Sequence, residues 1–410
     1  MPDQILDADS SDPALMGWME GLPPPPEKRI RWAEAGHMRF PTHRFAYSHM
    51  REFMATTRVG RGSAVWDLPL ALRDDLDTVS FEALDDGRSL TWADAHKASF
   101  TDAVLILHRG AIVYERYMGV TRRDTPHIAF SVTKSFVGTL AEMLIAEGRL
   151  EPVAPVGDLI PELASSGFGD ATLRQVMDMT TALDFSEEYT DPTSGIGAMS
   201  NALGLTPRPS GYAGPEDVFA FLPTIRKKGE HGERFTYRTC NTEVLGWIVA
   251  RTEGERLDRV LSRRIWQPLG MEQDADFLID TSGMPLPGAG SIRCCATWRA
   301  LAKPCGWAAP CRTETRRFMP RQSNRSGLAA AAMPSCLQVT SGSRAGPTAA
   351  SGGSSAATTG PIRRAGSTDR RSMSIRWRKW SSRDSVRTRL RPIQPWIRPR
   401  FRPTKRWLST

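Results

Sequence analysis

Pro126-His127-Ile128-Ala129-Phe130-Ser131-Val132-Thr133-Lys134-Ser135-Phe136-Val137-Gly138 is the stretch from which the rest of the chain can be read. A serine hydroxyl is a poor nucleophile at neutral pH and needs a neighbour that takes its proton. A lysine three residues later on a helix projects from the same face, so Ser131 and Lys134 pair as nucleophile and base. Phe136, Val137, Leu140, Met143 and Leu144 recur at helical spacing up to Gly148, a natural stop, which places Ser131 at the N-terminal end of that helix. Positive partial charge and unpaired N–H groups gather at such an end and suit a developing oxyanion. A capping serine followed by a solvated lysine writes the same four letters, so the surroundings decide between the two.

Upstream, Ala103 to Leu107 and Ala111 to Tyr117 are β-prone apolar runs either side of His108-Arg109-Gly110, which predicts a hairpin. His127, four residues before Ser131, is read as a packing or turn residue, because Lys134 already supplies a base. Downstream, Leu150 to Leu163 is broken by Pro152, Pro155 and Pro161, and Thr172 is placed to cap a helix running to Met179. A polar loop follows from Ser186 to Ser200. The second chemical segment is Gly232-Glu233-Arg234-Phe235-Thr236-Tyr237-Arg238-Thr239-Cys240-Asn241-Thr242-Glu243-Val244-Leu245-Gly246-Trp247. Asn241 or Thr242 can cap a helix there, leaving Tyr237 on the loop before it, where a phenol near a lysine can relay a proton to a leaving group.

At 410 residues the chain is long enough for a sizeable core. The acidic start, Met1 to Asp9, has no basic and apolar leader, and no run is long enough to cross a bilayer, so a cytoplasmic protein is expected. The six cysteines show no zinc-site spacing and are expected as free thiols. No metal set or nucleotide-binding glycine loop stands out, so no cofactor is expected.

The residues quoted, taken together, resemble the penicillin-recognising serine hydrolases: class C β-lactamases, D-alanyl-D-alanine peptidases, related esterases and the 6-aminohexanoate-dimer hydrolases. Ser131-Val132-Thr133-Lys134, then Leu173-Arg174-Gln175-Val176-Met177-Asp178-Met179-Thr180-Thr181, then Tyr237 before Asn241-Thr242-Glu243-Val244-Leu245-Gly246, and Ile265-Trp266-Gln267-Pro268-Leu269-Gly270-Met271 carry the likeness. Gly17-Trp18-Met19-Glu20-Gly21 and Phe185-Ser186-Glu187-Glu188-Tyr189-Thr190-Asp191 look closest to the 6-aminohexanoate-dimer hydrolase branch. The resemblance implies an α/β (α+β) fold of the β-lactamase/transpeptidase type: an antiparallel sheet flanked by helices, and a mostly helical lobe over about residues 150–236. It further implies acylation of Ser131, Lys134 as base, Tyr237 as proton shuttle and Tyr189 as a substrate contact. The substrate would be a small amide or ester, with a carboxylesterase, β-lactamase or D-amino-acid peptidase of the same fold as the alternative. The usual Tyr-x-Asn pattern is broken, because Thr239 stands in the third position.

Composition divides the chain. From Gly290 to Thr410 there are 25 Lys and Arg against three acids, whereas the preceding residues are net acidic and hold all seven His and all six Tyr. The expected organisation is an N-terminal extension over residues 1–100, a hydrolase domain over 101–289 and a basic tail over 290–410. The family's third motif, of the Lys-Thr-Gly or His-x-Gly type, does not occur in the tail. Reading the tail's codons one base earlier permits a string containing His-Gly-Gln opposite Pro361 to Trp380, so the tail is expected to be out of frame, disordered or incomplete. An inactive remnant lacking that motif is therefore a further alternative. A basic single-strand-binding arm is discounted, because the charge comes without a fold or motif, and no nucleic-acid or membrane partner is expected. The oligomeric state stays open, with a homodimer in view.

Overall fold

The computed structural model describes residues 6–84, 87–294, 338–341 and 373–376. Residues 6–50 run as short turns along the body. Buried Arg44 ties them down, donating to the Ala8 carbonyl and the Ser11 hydroxyl, each at 2.7 Å. Strand β1 (Thr56–Val59) follows.

Strands β2 (Ala103–His108) and β3 (Ala111–Tyr117) form the expected antiparallel hairpin. Its turn needs two residues with positive φ, and Arg109 and Gly110 supply them at 51° and 79°. Strand β4 (Pro126–Ile128) leads into a single 3-10 turn (Phe130–Val132) and then helix α1 (Thr133–Ala146). Phe136, Val137, Leu140 and Leu144 are buried on α1 as their spacing predicts, Ala141 is buried with them, and Met143, expected on the same face, is only partly buried. Removing each large apolar side chain from water stabilises the fold by about 1.5–3 kcal/mol, which keeps α1 central.

Helix α2 (Leu173–Met177) starts at Thr172 with a full capping box to Gln175 and stops two residues short of the expected Met179, which has φ +52°. Helix α3 (Gly195–Ala202), with Ser194 as its cap, cuts short the polar loop expected to run to Ser200. Helix α4 (Thr239–Glu253) packs against both α1 and α2, and every residue from Thr239 to Gly246 is buried. It ends at Gly254 in the left-handed conformation, with α5 (Leu257–Leu261) behind it.

Strands β5 (Ala275–Leu278) and β6 (Ser291–Cys294) complete a four-stranded sheet in the order β1-β5-β6-β4, antiparallel throughout. Inserting β6 between β5 and β4 carries the sheet past position 290. It also brings the residues just before β6 under helix α1. Two further strands, β7 (Gln338–Ser341) and β8 (Met373–Arg376), pair antiparallel with each other. The expectations for the tail, its out-of-frame origin, its missing third motif and its lack of a core, otherwise fall on positions outside the described residues. Among the described residues no helix is long and apolar enough to cross a membrane.

Candidate active site

Ser131 sits in the 3-10 turn that β4 delivers to the head of α1. The residue before it, Phe130, has φ +42°, a conformation that a bulky side chain resists. Its surroundings impose the conformation. The Phe130 ring packs edge-on against Tyr47, centroids 4.9 Å apart, while the Ala129 N–H donates to the Ser291 carbonyl at 2.8 Å. Ser131 is thus presented on a short strained turn and remains partly exposed.

Lys134, one turn on, is 2% exposed. Its Nζ lies 3.0 Å from Ser131 Oγ and donates to the carbonyl of Gly288. The ring of Tyr237 covers the ammonium at 5.2 Å from Nζ to the ring centroid. The residue before it, Thr133, shares a hydrogen bond with the Ser291 hydroxyl at 2.6 Å and accepts the Ser291 N–H at 3.0 Å. Strand β6 is thereby fastened to the helix that carries Lys134 and follows directly on the turn of Ser131.

Tyr237 lies on the loop before α4, as expected, and that loop is held at both ends. Thr236 donates its N–H to the Met179 carbonyl at 2.8 Å. Arg238, buried, donates to the carbonyls of Phe185 and Thr181. Burial pushes the Arg238 pKa below its ordinary value, a cost that these two carbonyls offset.

The cap of α4 differs from the expectation. Asn241 and Thr242 lie inside the helix, Arg238 occupies the N-cap position without a side-chain bond, and the Thr239 N–H is taken by the carboxylate of Glu187. Asn241 is buried and accepts the Thr181 hydroxyl at 2.7 Å instead. A cap borrowed from a distant loop does the work of a local one, and local sequence carries no trace of it.

Tyr189, on the same loop as Glu187, is 51% exposed. The polar groups bearing on its hydroxyl are those of Glu187, Tyr237 and Thr239. The structure therefore gathers Ser131, Lys134 and Tyr237 around one ammonium and sets Tyr189 at the rim through Glu187. His127 turns elsewhere, bonding Asp102 at 3.1 Å.

Two residues of the site escaped the sequence reading. Gly288 belongs to no motif, and only its carbonyl, brought in by the turn before β6, touches Lys134. Glu243 accepts the Gly288 N–H at 3.0 Å and is 3% exposed. An acid set in the run Thr242-Glu243-Val244-Leu245 of a helix with no exposed face in that turn was the available signal.

This constellation, on this sheet, can be compared with known proteins. Residues 92–285 match the family model described as Beta-lactamase. Over that stretch the chain is similar to beta-lactamase-family domains. The chain is 34% identical over 272 residues to a 6-aminohexanoate-dimer hydrolase of Paenarthrobacter ureafaciens, covering 66% of this chain and 64% of the relative. It thus spans just under two thirds of that relative's length. A solved structure, the putative 6-aminohexanoate-dimer hydrolase from Bacillus anthracis, superposes with a TM-score of 0.62 at 28% identity, covering 68% of this chain and 71% of that one. The described residues before position 295 thus have the expected β-lactamase/transpeptidase-like fold, with its antiparallel sheet and flanking helices.

Proposed function

We propose that this chain is a serine hydrolase that opens a small amide or ester through an acyl-enzyme, of the 6-aminohexanoate-dimer hydrolase kind. The observation that carries the reading is the 3.0 Å approach of the enclosed Lys134 Nζ to Ser131 Oγ. Lys134, in its neutral form, takes the Ser131 proton as Oγ attacks the carbonyl carbon. The negative oxygen that forms lies at the head of α1, the positive end of the helix dipole. Tyr237, whose ring covers Lys134, hands a proton to the departing amine or alcohol and later takes one from the water that releases the acyl group. Tyr189 meets the substrate at the rim. The likeness to the Paenarthrobacter and Bacillus proteins supports a linear amide as substrate.

The test is an assay of the purified chain with the 6-aminohexanoate dimer and with a chromogenic short-chain ester, alongside Ser131→Ala. Mass spectrometry follows the serine. Amide turnover, lost in Ser131→Ala and accompanied by an acyl adduct on the peptide containing Ser131, is the expected result. Ester turnover without amide turnover transfers the reading to a carboxylesterase. Turnover that survives Ser131→Ala overturns it.

A further inference from the structure

Glu243 stands one peptide unit from Lys134. Its Oε1 accepts the N–H of Gly288, and the carbonyl of the same glycine accepts the lysine Nζ. Gly288 fits this place because it has no side chain. A Cβ there would fall 2.5 Å from both Glu243 Oε1 and Thr239 Cγ2. The second carboxyl oxygen, Oε2, is buried and has no hydrogen-bond partner among the described residues. A carboxylate left half unpaired away from water is costly, whereas a protonated carboxyl in the same place carries no charge to desolvate.

The ionisable groups bearing on Glu243 come from three elements. Lys134 projects from α1, Asp280 from the segment after β5, and Cys240 from α4 itself. Burial pushes the Glu243 pKa up to about 8, the lysine charge and the Gly288 N–H pull it down, and Asp280 pushes it up again. Glu243 takes no part in the proposed chemistry as described so far, yet it shares a peptide with the base.

We propose that Glu243 is a positioning residue for the Ser131–Lys134 pair: it pins the Gly288 peptide on which the lysine rests, and its proton decides whether Lys134 faces a neutral acid or an anion. The proposal builds on Lys134 as the base. While Glu243 carries its proton, the ammonium lacks that anionic neighbour and gives up a proton more readily to become the base. Once Glu243 ionises, the ammonium is held and the base is withdrawn, so the two groups titrate as a coupled pair.

The experiment follows Lys134 directly, by NMR of protein carrying 13C at the lysine ε carbons, with Lys134→Arg to assign the signal. In Glu243→Gln, which keeps an acceptor for the Gly288 N–H but forms no anion, the Lys134 titration should move down by about one unit. The acid limb of Ser131 labelling by a fluorophosphonate should move the same way. A folded Gln variant with an unmoved lysine titration overturns the proposal. Should the variant not fold, the side-chain carboxyl of Glu243 in the unaltered protein is followed instead. A titration near pH 8 supports the proposal, and one in the ordinary carboxylate range overturns it. A shifted lysine titration in a protein whose Ser131 never labels would sink the hydrolase reading and leave the coupling standing.

Discussion

The carboxylate of Glu187 accepts the backbone N–H of Thr239, so helix α4 begins against a residue 52 positions earlier in the chain. Removing that acceptor leaves the first amide of α4 unpaired and lets the Tyr237 loop drift. We expect Glu187→Ala to cost about 1 kcal/mol of stability, as loss of a helix cap does. Urea denaturation measures it, and a midpoint unchanged from the unaltered protein would show that water replaces the carboxylate without loss.

Tyr237→Phe keeps the ring over Lys134 and deletes only the phenolic proton. The melting temperature should hold while kcat falls about 10²–10⁴-fold, the usual contribution of a positioned acid or base. Steady-state kinetics with an ester and an amide separates the roles. The amide, with the poorer leaving group, should suffer more, and an equal loss on both would argue against protonation of the leaving group.

Gly288→Ala forces a Cβ to within 2.5 Å of Glu243 Oε1 and Thr239 Cγ2. Something must shift, and the expected penalty is about 1–3 kcal/mol, as for overpacked cores. The Gly288 carbonyl would move away from Lys134, so labelling of Ser131 should slow as well. A variant that melts and labels like the unaltered chain would mean that the turn before β6 yields without consequence.

Asp102 and His127 form a pair whose effect depends on pH. Burial works against the His127 imidazolium, but the hydrogen bond and charge of Asp102 outweigh it, and the pKa lies above the ordinary 6.5. A raised histidine pKa means that protonation favours the folded state. The stabilisation is full below about pH 6.5 and fades as pH rises through the higher folded-state value. Asp102→Asn should therefore lower the melting temperature most at mildly acid pH and progressively less above it. A loss that grows toward alkaline pH would contradict this sign.

Much of the site was legible because its chemistry is local. Ser131 and Lys134 are three residues apart, across the turn that opens α1, and the hairpin at Arg109-Gly110 and the cap at Thr172 are written in neighbouring residues. Tyr237 was found for the same reason, lying just before a helix with a recognisable apolar pattern. What escaped is what the backbone brings from afar. Gly288 reaches Lys134 across 154 positions, and it does so with a carbonyl that every residue type possesses. Glu187 replaces the cap expected at Asn241 or Thr242, because a carboxylate packed against a helix end satisfies the same amide from any distance in sequence. Glu243 hid inside a run of buried residues, Thr239 to Gly246, in which a single acid makes no pattern of its own.

The paired hydroxyls of Thr133 and Ser291 make strand β6 report on itself. The Ser291 amide proton points at Thr133 Oγ1, sealed between the sheet and helix α1. Its exchange with deuterium can occur only when β6 lifts away from α1, so one slow amide gives the opening free energy of the site without substrate, probe or turnover. Preparations of this chain can be ranked by that single proton before any activity is sought.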